Sequence, residues 1–163
     1  MSKLEWTTHS REETIQHGRE IGANLKVPVL ILLSGELGAG KTTFTKGLVS
    51  GIGAAEEDDV TSPTFTLVHK YERSALVHKS EPGTVVHKGG EKSGEGARVY
   101  HVDLYRVGNF HDLETLGLED VFSERAVVIV EWPDRFTLRN DWPVVRVLLE
   151  HVAEETRRIT VES

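Results

Sequence analysis

The chain has 163 residues, long enough to bury one core without staples, and its lack of cysteine excludes disulfides and thiolate metal sites. Its formal charge of -7, from 19 basic and 26 acidic residues, argues against autonomous nucleic-acid binding, though not against a local basic patch or work on RNA through a partner. No apolar run reaches membrane-spanning length and the start has no signal-peptide pattern, so one cytoplasmic domain with no membrane association is expected over 1–163.

Ser10 and Glu13 stand at capping-box spacing, and Ile15, Ile21 and Leu25 with Gly18 and Gly22 form a helical stripe, which predicts a helix from Arg11 to Leu25. Pro28 marks its stop. Val29 to Leu33 is the continuous apolar run expected of a strand buried on both faces, and it feeds into Gly35. Lys41 to Val49 reads as a helix. Strands are predicted at Phe65–Tyr71, Arg98–Tyr105, Ala126–Trp132, Val144–Val152 and Arg158–Val161, with a short helix at Asp112–Leu116 closed near Gly117. The order implies an α/β layer structure with a mixed sheet and antiparallel edges.

One stretch stands apart. Val-His-Lys recurs every nine residues at Val68–Lys70, Val77–Lys79 and Val86–Lys88, followed by glycine-rich sequence up to Gly96. We read residues 73–97 as a loop insertion grown by tandem expansion. The sharper alternative, a metal cluster of His69, His78 and His87, lacks carboxylates set among the histidines.

Gly35-Glu36-Leu37-Gly38-Ala39-Gly40-Lys41-Thr42 carries the strongest chemical signal. A loop around a β-phosphate must turn successive backbone N–H groups inward, which glycine permits, and the following helix points its positive end at the phosphates. In such a loop Lys41 reaches the β and γ oxygens and the Thr42 hydroxyl binds magnesium. The pattern therefore predicts a P-loop that binds ATP with Mg2+. The metal and the attacking water need further groups. Glu131 ends the hydrophobic run Ala126–Val130, and Asp103 follows the strand-like Val99–Val102. A strand-end carboxylate is often merely solvated, but a P-loop needs an acid for its metal. We take Glu131 as metal ligand and Asp103 as an outer-sphere group or water-orienting base. Thr61-Ser62-Pro63-Thr64-Phe65 reads as a turn before a strand or as a switch-like loop sensing the γ-phosphate. Trp132 is a core aromatic or a stacking surface, and Arg106 and Arg135 are surface ion-pairing groups or phosphate or partner contacts.

Together, Gly35 to Gly47, Ser62-Pro-Thr-Phe-Thr66, His101-Val-Asp-Leu-Tyr-Arg106 and Glu131-Trp132 resemble the TsaE (YjeE) family, and the likeness covers nearly the whole chain outside residues 73–97. The resemblance implies a P-loop NTPase fold, three-layered, with a mixed, mainly parallel central sheet and antiparallel edge strands. It implies slow ATP hydrolysis in support of a TsaD–TsaB-like protein complex that transfers threonylcarbamoyl to the adenosine next to the tRNA anticodon, so that tRNA is met only indirectly. By motif position, Lys41, Thr42 and Thr43 take the phosphates and magnesium, with Glu131 as a second metal ligand. Asp103 and Trp132 match residues important for hydrolysis, and Thr7-Thr-His-Ser10 flanks the adenine. The family links its Ser-Pro-Thr strand to His-x-Asp-Leu-Tyr-Arg by a short turn, where this chain inserts the Val-His-Lys repeats.

Two other functions fit a P-loop. A small-molecule kinase would use Asp103 to deprotonate an acceptor hydroxyl, but the sequence offers no arginine-rich lid. A non-hydrolysing binding module would use ATP only to order the Ser62-Pro63-Thr64 loop for docking.

Overall fold

The computed structural model describes residues 2–63, 66–72, 98–122, 125–137 and 141–163. The second and third Val-His-Lys copies, with His78 and His87, lie outside these residues, as do Thr64 and Phe65 of the hydroxyl-rich segment.

In chain order the elements are β1 (Lys3–Thr8), α1 (Arg11–Asn24), β2 (Val29–Ser34), α2 (Lys41–Ile52), a 3-10 turn (Glu57–Asp59), β3 (Val68–Glu72) and β4 (Arg98–Asp103). Then come α3 (Phe110–Glu114), α4 (Leu118–Phe122), β5 (Val127–Glu131), a second 3-10 turn (Pro133–Arg135), β6 (Val144–Ala153) and β7 (Thr156–Glu162). The capping box at α1 is complete. Ser10 Oγ accepts from the Glu13 amide at 3.2 Å, and Glu13 Oε2 accepts from the His9 amide at 2.7 Å.

All seven strands described form one sheet in the order β1-β7-β6-β2-β5-β4-β3. The pairs β6–β2, β2–β5 and β5–β4 are parallel, while β1–β7, β7–β6 and β3–β4 are antiparallel. The expected mixed sheet with antiparallel edges is therefore present, with its pairings evenly divided between the two kinds. β2 and β5 at its centre are almost wholly buried. Their alternate residues feed two separate cores, which is why both strands read as unbroken apolar runs. Ile31, Leu33, Val127 and Ile129 join Phe44, Leu48 and Val49 of α2 on one face. Leu30, Val128 and Val130 join Leu113, Leu118 and Val121 of α3 and α4 on the other. Each fully buried side chain of this size contributes about 1.5–3 kcal/mol of apolar transfer.

Glycines set the position of α1. A Cβ on Gly18 would fall on the Phe44 carbonyl oxygen and lie 3.2 Å from the Gly47 Cα, so the two helix backbones touch with no side chain between them. That contact carries α1 on the back of α2.

Several boundaries and two elements differ from the sequence reading; α2 runs on to Ile52, where left-handed Gly53 closes it, and β7 spans Thr156–Glu162. β4 stops at Asp103: the Leu104 amide still donates to the Glu131 carbonyl at 3.1 Å, but the chain then turns so that Asp103 Oδ1 accepts from the Tyr105 amide at 2.9 Å. β3 begins at Val68, since Leu67 takes a left-handed backbone (φ 66) that no strand continues through. α3 runs from Phe110 to Glu114, two residues earlier than expected, because Asn109 caps it through the Asp112 amide. β5 ends at Glu131, since Trp132 is also left-handed (φ 57). β1 and α4 were not anticipated. β1 pairs with β7 from Lys3↔Glu162 to Thr8↔Arg157 and leaves most of its side chains exposed.

Candidate functional site

α2, which follows β2, packs on one face of the sheet and α3 and α4, which lead into β5, on the other, so the carboxyl ends of these two parallel neighbours lie at a switch point, where α/β proteins bind ligands. The Gly35–Thr42 loop leaves β2 at that point. Gly35 crosses β6 so closely that a Cβ would lie 2.5 Å from the Leu149 carbonyl oxygen. Gly40, left-handed at φ 99, turns the chain into α2, and its carbonyl accepts from the Phe44 amide at 2.8 Å. Glu36, Leu37 and Gly38 form the exposed rim, whereas Ala39 is buried, and Thr42 and Thr43 sit half-buried in the first turn of α2.

Lys41 is buried and points back into its own loop. Its ammonium donates to the Gly35 carbonyl at 2.6 Å and the Glu36 carbonyl at 2.9 Å, and stands 4.5 Å from the centre of the Trp132 ring. Burial lowers its pKa below 10.5, and the nearby carboxylates of Glu131, Asp103 and Glu36 pull the other way. Trp132 in turn packs on Tyr105, with ring centroids 4.9 Å apart.

Asp103 and Glu131 are cross-strand partners at the ends of β4 and β5, and both are buried. Asp103 is held on several sides. Oδ1 accepts from the Tyr105 amide, Ser62 Oγ donates to Oδ2 at 3.5 Å, and the Asp103 amide donates to the Leu67 carbonyl at 3.0 Å. Glu131 is less satisfied. Among the described residues its buried Oε1 has no hydrogen-bond partner and lies 3.3 Å from Nε2 of the fully buried His101. An acceptor left open inside a protein is costly unless a cation or donor meets it, and that gap suits a hard divalent ion. Mg2+ commonly takes only one or two protein oxygens and completes its shell with water and phosphate, so Glu131 with Thr42 is a sufficient donor set.

The sequence-derived residues therefore fall into one cluster and one outlier. Gly35 to Thr43, Asp103, Glu131 and Trp132 meet at the carboxyl end of the parallel strands. Ser10 is engaged as the cap of α1, although its neighbour Thr8 pairs with Arg157, which reaches the loop. The Arg135 guanidinium donates to the Val107 carbonyl at 2.9 Å and fastens the segment after Asp103. Arg106 is exposed. Sequence reasoning did not anticipate three sets of contacts. His101 backs Glu131. Tyr71 and His69 hold Thr61, with His69 Nδ1 3.2 Å from the Thr61 carbonyl and the Thr61 amide donating to the Tyr71 hydroxyl at 3.3 Å. Arg157 donates to the Gly38 carbonyl at 3.3 Å. The alternation of β3 and β4 would have put His69 opposite His101, but nothing in the sequence marks Arg157.

The family model for threonylcarbamoyl adenosine biosynthesis protein TsaE matches residues 8–81 and 82–159. The chain belongs to the TsaE family. Among curated TsaE relatives, each named a tRNA threonylcarbamoyladenosine biosynthesis protein, that of Bacillus subtilis is 31% identical over 160 residues, covering 98% of this chain and 85% of its own. The Streptomyces coelicolor TsaE is 38% identical, covering 88% of this chain and 86% of its own. The crystal structure of Bacillus subtilis YdiB superposes with a TM-score of 0.63 at 27% identity, covering 98% of this chain and 84% of that one. Among the described residues no helix is long and apolar enough to cross a membrane.

Proposed function

We propose that this TsaE-family chain is a cytoplasmic, magnesium-dependent ATPase with a three-layer P-loop NTPase core. It supports threonylcarbamoyl modification of the adenosine next to the tRNA anticodon by acting on a TsaD–TsaB-like complex. The observation that carries the reading is the convergence of Lys41, Asp103 and Glu131 on the mouth of a glycine-lined loop that opens a helix. The backbone N–H groups of that loop and the Lys41 ammonium bind the phosphates, and Thr42 and Glu131 hold the magnesium ion. Bound there, magnesium neutralises charge on the phosphate oxygens. Asp103, fixed by Ser62 and by the Tyr105 amide, orients the attacking water and takes its proton.

Ser62 gives the site its means of reporting. Through Asp103 it joins the acid cluster to the Thr61–Pro63 loop, which Tyr71 and His69 tie to the sheet edge at β3. Hydrolysis in isolation is slow, as is usual for P-loop sites that a partner completes. The test is to incubate the purified chain with Mg-ATP, with and without the partner pair, and to measure threonylcarbamoyladenosine in depleted cells. Phosphate released to water and a loss of the modified nucleoside are expected. Phosphate carried on an organic acceptor supports a kinase instead, and unchanged modification overturns the pathway assignment.

A further inference from the structure

We infer that Arg157 is a positioning residue for the phosphate loop, bracing it against the β6–β7 turn through the Gly38 carbonyl. The inference deepens the nucleotide-binding reading above and rests on it. Arg157 is the second residue of β7, beside Thr8 of β1 and opposite His151 of β6. Its guanidinium bonds backbone carbonyls throughout. Nη1 donates to Ala153 at 3.2 Å, Glu154 at 2.8 Å and Thr156 at 3.1 Å, which anchors it on the β6–β7 turn. Nη2 reaches across to the Gly38 carbonyl at 3.3 Å.

A trans peptide is planar, so its carbonyl and N–H point in opposite directions. With the Gly38 carbonyl turned to Arg157, the Ala39 N–H is turned to the Glu36 carbonyl, 3.1 Å away. That same carbonyl receives the Lys41 ammonium, so the Glu36 oxygen holds two donors that a phosphate in the loop would compete for. Rotating the peptide would break the Ala39 bond and turn the Gly38 carbonyl into the loop, against the negative charge of a phosphate. The Ala39–Glu36 hydrogen bond opposes the rotation as well, but sterics do not. Gly38 is left-handed (φ 77), and no heavy atom outside its chain neighbours lies within 4 Å of the place a Cβ would occupy. A Cβ on Gly40 would lie 3.8 Å from Arg157 Nε, so the arginine runs along the outside of two loop glycines. Arginine suits this brace because its planar fork can grip the turn and the loop together, which a lysine cannot.

The test compares Arg157→Ala, Arg157→Lys and Arg158→Ala. Arg158, the next residue, pairs with Glu5 and Glu150 and controls for lost charge on the hairpin. Amide exchange is followed in the nucleotide-free chain, and ATP and ADP affinities are measured by calorimetry. In Arg157→Ala, exchange at Ala39 is expected to accelerate, and both nucleotides should bind more weakly by the same factor, on the order of tenfold for one charged hydrogen bond. Arg157→Lys should fall between that variant and wild type, and Arg158→Ala should match wild type. Unchanged Ala39 exchange and affinity in Arg157→Ala overturn the inference, as does an equal loss in Arg158→Ala. If Arg157→Ala does not fold, Arg157→Lys decides by the same readouts. Failure of the wild-type chain to bind ATP refutes the nucleotide reading instead, and Ala39 exchange still decides whether Arg157 braces the loop.

Discussion

Asp103 and Glu131 face each other in register at the carboxyl ends of β4 and β5, yet their surroundings differ sharply. Asp103 already accepts from Ser62 and the Tyr105 amide, while Glu131 keeps one buried oxygen open beside His101. The open oxygen fits a metal, and the satisfied carboxylate fits an oriented base. Glu131→Gln should therefore weaken the magnesium dependence of ATP affinity, seen as a loss of the gain that magnesium gives in wild type. Asp103→Asn should leave magnesium-assisted binding near wild type and reduce turnover by roughly 100-fold, the lower end for loss of a general base. Titrating nucleotide affinity against magnesium for both variants, alongside phosphate release, separates the roles. Equal effects on binding would refute the division.

The legibility of these elements follows from where they sit in the sheet. β2 and β5 are central strands that bury both faces, so each reads as an unbroken apolar run ending at the loop or at Glu131. β1 is an edge strand whose Lys-Leu-Glu-Trp-Thr-Thr buries only Thr8, and pairing with a strand some 150 residues away defines it. No local pattern announces such a strand. α4 is five residues long, too short for helical periodicity to show. The phosphate loop, the two acids and Trp132 were legible because each sits at the end of a readable strand. Arg157 was not, because its role depends on meeting Gly38, 119 positions earlier in the chain.

The contact between α1 and α2 offers a test of packing. A Cβ on Gly47 would fall on the Ile15 carbonyl oxygen and lie 3.0 Å from the Gly18 Cα. A helix backbone cannot yield as a flexible side chain does. Gly47→Ala, although favourable for helix propensity, should destabilise the chain by about 1–3 kcal/mol, the usual cost of overpacking. Urea unfolding of the two proteins checks this, and a stabilised variant would show that the helices can separate at little cost.

Lys41 makes alkaline stability depend on pH. Burial holds its native pKa below the ordinary 10.5, so between those two values the unfolded chain binds more protons than the native one. Unfolding free energy must then rise with pH across that window as far as Lys41 is concerned. Lys41→Met removes this contribution, so wild type should gain stability relative to the variant as pH climbs towards 10.5. Parallel urea melts at several alkaline pH values measure the difference. Parallel slopes would mean that the ammonium is not buried enough to shift.

Trp132 should report the movement of Lys41. The ammonium stands 4.5 Å from this ring while bonded to the carbonyls of Gly35 and Glu36, and a phosphate in the loop competes for the same charge. Drawing Lys41 off the indole changes its electrostatic surroundings, so adding Mg-ATP should change the intrinsic fluorescence. The other tryptophans have different neighbours, since Trp6 packs on His17 with centroids 5.1 Å apart and Trp142 on Phe122 at 5.2 Å. The change should thus survive in a Trp6→Phe/Trp142→Phe double variant and nearly vanish in Trp132→Phe. Phenylalanine keeps a ring beneath the ammonium but with a weaker quadrupole, so Trp132→Phe should lose less than the roughly 0.5–1 kcal/mol of a whole cation–π contact. A signal carried by Trp6 or Trp142 would mean that nucleotide binding acts through α1 or α4, with Lys41 staying where it is.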